Sequence, residues 1–266
     1  MCQIYHPPRA GFRFIALILQ LPTRKHATAH QETLDMKKNN YTCDLKSCFL
    51  CQRCLPEWIP AIQSHRKNLF FKKGELIFQE GDPVKGIFFV YSGTVKVHKK
   101  WGTEKELIIR FAQKGDIFGH RGLGHENHYP ISATAIEPVQ ACYIELDFFQ
   151  ATLKVNQDFM YGLLLFFADE LQESERNMRN LAHMQVKGRV AHALLSLKDK
   201  FGLTPEGFIN IILSRQDLAS IVGAAYETVF RIINELAEEQ IIRLDGKNIA
   251  LPDSERLVRY TKETQG

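Results

Sequence analysis

The feature that most constrains this chain is a change of hydrophobic period partway along it. From Leu69 to Leu146 apolar and polar residues alternate in short runs, as in ELIFQ, GIFFVYS and GTVKVH, and Gly74, Gly81, Gly86, Gly93, Gly102 and Gly115 punctuate them. Alternation puts successive side chains on opposite faces of a strand and glycine admits the turns between strands, so this half predicts an antiparallel barrel or sandwich. From Asn156 to Gln185 no proline occurs, and Leu163, Phe167, Leu171, Ser174, Met178 and Leu181 recur at spacings of four and three. Such spacing draws one narrow stripe down a long helix, the pattern of a coiled-coil seam. A core helix within one chain also bears an apolar stripe, but the length and narrowness of this one favour a homodimer.

A third pattern follows in SRQDLASIVGAAYETVFRIINELAEEQ. Ser214 is suited to cap a helix over Arg215–Val222, Gly223 to break it, and Tyr226–Glu239 to form a second helix after a short turn. The second helix would bury Val229, Ile232, Ile233 and Leu236, leaving Tyr226, Glu227, Phe230 and Arg231 on its outer face. An arginine can donate to guanine O6 and N7 and a glutamate can accept from cytosine N4, so this face suits a DNA major groove. Glu227 and Arg231 would equally suit a plain surface ion pair one turn apart. Asp245-Gly246 marks a hairpin beyond, a wing that carries Lys247 toward the phosphate backbone.

Composition bounds these readings. The chain has 266 residues, 45% hydrophobic and 24% charged, a balance that supports a sizeable core and two ordinary domains. No apolar run reaches the eighteen or so residues of a membrane span, so no membrane partner is expected and the cytoplasm is the expected compartment. The whole formal excess of +4 lies in residues 1–40, so any nucleic-acid footprint must be local. That stretch lacks periodicity and is expected to be a disordered tail or a mis-assigned extension ahead of a start at Met36. Residues 41–155 are then a cysteine-bearing segment and sensory β-domain, 156–185 the dimerisation helix and 186–266 a winged helix-turn-helix. No nucleophile triad, phosphate loop or paired carboxylates stand out, and an enzyme is not expected.

This order of parts resembles the CRP/FNR family of bacterial transcription regulators from about Cys48 to Leu257. SRQDLASIVGAAYETVFRIINEL follows the family's helix-turn-helix phrase, and GELIFQEGD and SGTVKV look like its cyclic-nucleotide-binding-type β-roll. The resemblance implies an α+β fold of β-roll, long helix and winged helix-turn-helix. It also implies double-stranded DNA, a second copy and RNA polymerase as partners. Glu227 and Arg231 would read base edges, with Ser214, Arg215 and Gln216 near phosphates. Family members that bind cyclic nucleotides hold the ribose with a Glu and the phosphate with an Arg. Here the aligned positions read Gly119-His120-Arg121 and Ile131-Ser132-Ala133, so both charged groups are missing and cyclic AMP is not the expected signal. Gly119, His120, Arg121 and Ser132 remain as a loop that could hold another effector.

Four of the six cysteines, Cys43, Cys48, Cys51 and Cys54, fall within twelve positions. In a reducing compartment such a cluster points to metal or redox chemistry rather than disulfides. The oxygen-sensing branch of the resembled family holds an iron–sulfur cluster through three cysteines ahead of the roll and one inside it. By that likeness Cys48, Cys51, Cys54 and Cys142 would bind a [4Fe–4S] cluster, with Cys43 as an alternative ligand. The spacing departs from the branch's usual two-then-five pattern. Cys43, Cys48, Cys51 and Cys54 would also suit a closed zinc site, and plain thiols are a third reading.

Overall fold

The structure is a computed structural model whose described residues are 45–102 and 105–262; the readings for residues 1–40 and for Cys43 lie outside them. From Leu45 a cysteine-bearing loop passes through the 3-10 turn Pro56–Trp58 into the short helix α1 (Ile59–His65). Eight strands follow: β1 (Lys67–Phe71), β2 (Leu76–Phe78), β3 (Gly86–Ser92), β4 (Val95–Trp101), β5 (Lys105–Ala112), β6 (Ile117–Phe118), β7 (Ser132–Ala135) and β8 (Val139–Glu145). They form two antiparallel four-stranded sheets, ordered β1-β8-β3-β6 and β2-β7-β4-β5. Alternation holds at the start of β4, where Val95 and Val97 are buried and Lys96 between them is half-buried; it breaks at a bulge between Val97 and His98, beyond which Lys99, Lys100 and Trp101 are all exposed. Phe71, Phe89, Phe118, Ile87, Ile117 and Ile144 are fully buried in the core of this β-domain. Each contributes on the order of 1.5–3 kcal/mol.

The cysteine loop lies across the turn between β5 and β6. Gly115 adopts φ +93° there, and a Cβ on it would stand 2.4 Å from the Ser47 carbonyl oxygen. Only glycine allows this approach, which the Phe49 N–H secures by donating to the Gly115 carbonyl at 2.9 Å.

Two helices leave the roll, α2 (Leu146–Val155) and the 27-residue α3 (Gln157–His183). Helix α2 follows the last strand directly, and its ten residues carry no turn signal to mark it in the sequence. Asn156, between the helices, is 1% exposed. Phe159 and Leu163 are buried against the roll, whereas Leu171, Met178 and Leu181 farther along α3 are exposed in the single chain.

The remainder is α4 (Val186–Phe201), α5 (Arg215–Val222), α6 (Tyr226–Glu238), the hairpin β9 (Arg243–Asp245) with β10 (Asn248–Ala250), and α7 (Ser254–Tyr260). Their core joins Val190, Leu194, Leu218, Val222, Val229, Ile232, Ile233 and Leu236 to Ile108 and Phe111 of β5, so the roll supplies part of it. The α+β architecture expected from the change of period is the one observed. Among the described residues no helix is long and apolar enough to cross a membrane.

Candidate nucleic-acid interface and cysteine site

Ser214 begins α5 as a capping box. Its Oγ accepts from the Asp217 N–H at 2.9 Å, and its own N–H donates to the Asp217 carboxylate at 3.2 Å. Gly223 ends the helix in the left-handed conformation, φ +64°. In α6 the buried stripe Val229, Ile232, Ile233 and Leu236 turns Tyr226, Glu227, Phe230 and Arg231 outward. The Tyr226 and Phe230 rings stack at 5.9 Å, a flat apolar step beside the two charged side chains.

Arg231 is 70% exposed and pairs with Glu235 at 3.6 Å; among the described residues no ion pair joins it to Glu227. An exposed pair one turn apart is worth only about 0.3–0.5 kcal/mol, so Arg231 can exchange it for a base at little cost. The three residues expected near phosphates divide differently. Gln216 is exposed, Ser214 is engaged in the cap, and Arg215 donates through Nη2 to the Gly246 carbonyl at 3.1 Å. Arg215 therefore ties α5 to the wing, and burial lowers its pKa. Lys247, next in the wing, is exposed.

The winged helix is also held from the roll. Lys96 Nζ of β4 lies 2.6 Å from Glu106 and 3.1 Å from Asp217, the capping-box carboxylate of α5. Burial opposes ionisation of Glu106, but hydrogen bonds from His98 and Lys96 outweigh it and bring its pKa down to about 2.

The candidate effector loop is occupied by the protein itself. His120, in a 3-10 turn (His120–Gly122), is 2% exposed and its Nε2 lies 3.0 Å from Glu170 of α3. Arg121 Nε donates to the same carboxylate at 3.0 Å, and Arg110 of β5 pairs with its other oxygen. Burial raises the cost of ionising Glu170, yet the His120 hydrogen bond and the two guanidinium charges hold it well below the usual carboxylate range. Burial lowers the pKa of His120 against the opposing pull of its Glu170 hydrogen bond, with Arg110 and Arg121 adding to the lowering. Ser132 accepts from the Glu80 N–H at 3.0 Å, and Gly119 supplies a φ of +83° against Phe78, Phe88 and Tyr129. The Phe78 and Tyr129 rings stack at 3.9 Å, and Phe88 lies 4.9 Å from Phe118. Nothing in the sequence marks Glu170, because a carboxylate on a long helix ordinarily faces water.

Cys48, Cys51, Cys54 and Cys142 are brought into one core. Cys142 sits in β8 opposite Asn68 of β1 and Phe89 of β3. Burial, with the Cys48 sulfur nearby, pushes the Cys54 thiol up to about 12. Among the described residues, no three His, Cys, Asp or Glu side chains form a group that could hold a metal ion.

The loop bearing these cysteines is seated on the start of α3. Phe49 packs on Phe159 at 6.1 Å and Phe166 at 5.1 Å, and Arg53 lies over the Phe49 ring at 4.2 Å. A Cβ at Gly162 would come within 2.7 Å of Arg53, so the glycine leaves room for that side chain. The Leu55 N–H donates to Asn156 Oδ1 at 2.7 Å, and the Trp58 indole N–H to Thr152 Oγ1 at 3.1 Å.

A β-roll leading through a long helix to a winged helix-turn-helix with an exposed polar reading face defines a DNA-binding transcription regulator. Residues 68–156 match the cyclic nucleotide-binding domain and residues 188–260 the Crp-like helix-turn-helix domain. The chain is 30% identical over 209 residues to a CRP-like cAMP-activated global transcriptional regulator of Mycobacterium tuberculosis, covering 78% of this chain and 93% of the relative. It is 33% identical over 184 residues to the cAMP-activated global transcriptional regulator CRP of Escherichia coli, covering 67% and 86%. In fold it is similar to FixK2 from Bradyrhizobium japonicum, with a TM-score of 0.67 at 24% identity over 75% of this chain and 99% of that one. The chain belongs to the CRP/FNR family of transcription regulators.

Proposed function

We propose that this regulator acts in the cytoplasm as a homodimer, reads DNA through α6, and senses oxygen or redox state through a [4Fe–4S] cluster held by Cys48, Cys51, Cys54 and Cys142. The observation that carries the reading is that these four residues share one core, Cys142 on β8 and the other three on a loop that grips α3. A cluster takes in Cys142, which shares a core with Cys48, Cys51 and Cys54, whereas the zinc site that Cys43 would complete leaves it out. When bound, the cluster supplies an oxygen-labile tie between the loop and β8.

The chain's own residues carry the consequence. Phe49 and Arg53 press on Phe159, Phe166 and Gly162, while Asn156 holds the Leu55 backbone at the α2–α3 junction. A loop fixed to β8 would therefore set the packing of the first turns of α3, and through them the spacing of two reading helices. Cyclic AMP activation belongs to the names of the relatives. In this chain Ile131, 4% exposed, stands where a phosphate would need an arginine.

The test is purification without oxygen. Iron and acid-labile sulfide should co-purify, and Cys142→Ser should lose both together with the difference in DNA affinity caused by air. Full metal content and an unchanged response in Cys142→Ser would overturn the cluster.

A further inference from the structure

A charged cluster that neither DNA reading nor the cysteines explain is the set around Glu170. Arg110 approaches it from β5, His120 and Arg121 from the turn aligned with the family's nucleotide loop, and the carboxylate itself comes from α3. Its side chain is 13% exposed. The Arg110 guanidinium is fixed by a further bond from Nη2 to the Ile117 carbonyl at 3.1 Å, and the His120 ring by edge contacts with Phe166 and Phe167. The donors are thus held in place before any anion is considered. Beside them opens a cleft of about 530 Å³, which Arg110, Arg121, Phe166, Glu170 and Ser174 help to line.

We propose that this is an anion seat in which the Glu170 carboxylate is a built-in ligand, and that a seat emptied of it takes a small free carboxylate from solution. The roll would then hold its own helix at the loop where other rolls of the family hold an external effector. Three observations carry this. Two guanidinium groups and an imidazole N–H converge on one carboxylate, which is the donor set of a carboxylate site. The donors come from the roll and the acceptor from the helix, so the bond joins two parts that a ligand would otherwise bridge. The adjoining cleft gives a solute of acetate size a path to the vacated position. The proposal does not depend on the cysteines and can be tested on protein kept in air or stripped of metal.

The experiment is chemical rescue. Glu170→Ala should lower the thermal midpoint and weaken DNA binding by about tenfold or more, because the half-buried Arg110 and Arg121 lose the carboxylate they share and Arg110 keeps only the Ile117 carbonyl and Asp116 at 3.8 Å. Acetate replacing chloride at constant sodium should restore both toward wild-type values, whereas acetamide, of the same shape without the charge, should not. Wild-type stability and affinity in Glu170→Ala, or a folded variant that acetate does not rescue, would overturn the proposal. If Glu170→Ala does not fold, Glu170→Gln retains the side-chain size and changes only the charge. It should still lower the midpoint and the affinity, and wild-type values for it would refute the seat.

Discussion

Asn156→Ala tests whether the cysteine loop is fastened to the helices as the hydrogen bonds indicate. Asn156 Oδ1 accepts the Leu55 N–H at 2.7 Å, and its Nδ2 donates to the Thr152 carbonyl at 2.9 Å. The Thr152 carbonyl also receives the Asn156 N–H, so truncation leaves it satisfied. The Leu55 N–H loses its acceptor, but Leu55 itself is 47% exposed, so water can replace part of the bond. Loss of a part-exposed hydrogen bond costs about 0.5–1.5 kcal/mol, which corresponds to roughly 2- to 12-fold in the local opening equilibrium. The Leu55 amide should therefore exchange with deuterium faster by that factor, while amides of β3 and β8 keep their rates. Thr152→Val is the matched control, and should speed exchange at the Trp58 indole N–H alone. If Leu55 exchanges at the wild-type rate in Asn156→Ala, the loop is not held at this point and its proposed grip on α3 fails.

Three further outcomes are expected. Arg231→Ala should lower affinity for a specific site by about 1–3 kcal/mol without changing the fold, checked by gel shift together with circular dichroism. Leu171→Glu places a charge on the exposed stripe of α3 and should convert dimer to monomer in sedimentation, with joint reading of two half-sites lost. Glu106, with its folded pKa near 2 against an ordinary value of 4.5, contributes stability that is full above pH 4.5 and lost as pH falls toward 2. Glu106→Gln should be less stable near neutrality and should flatten that acid limb when urea midpoints are followed against pH.

The parts legible in the sequence are those fixed by local rules. Period two between Leu69 and Leu146, the seam spacing beyond Asn156 and the cap-and-glycine frame of α5 each follow from neighbours within a few residues. The missing features are all made by closure of the chain. Glu170 has its partners 49 to 60 residues upstream, on two other elements. Arg231 has a glutamate one turn on either side, and the choice of Glu235 over Glu227 is a matter of packing that spacing does not contain. Arg215 stands at a helix start that suits phosphate contact, but the wing 31 residues later folds back and takes its guanidinium. Asp217 completes the cap of α5 three residues after Ser214, and its second partner, Lys96, lies 121 residues away.

Asp217 has a consequence for how this regulator can be taken apart. The carboxylate that starts the first DNA-binding helix also receives a lysine from the sensory half, and Ile108 and Phe111 of that half complete the hydrophobic interior of the other. The winged helix is therefore not an interchangeable cassette. Grafted onto a foreign roll, or expressed alone, it would uncover the surface that β5 now fills and leave Asp217 with only its own cap. A working chimera would have to carry the β4–β5 hairpin along with the helices.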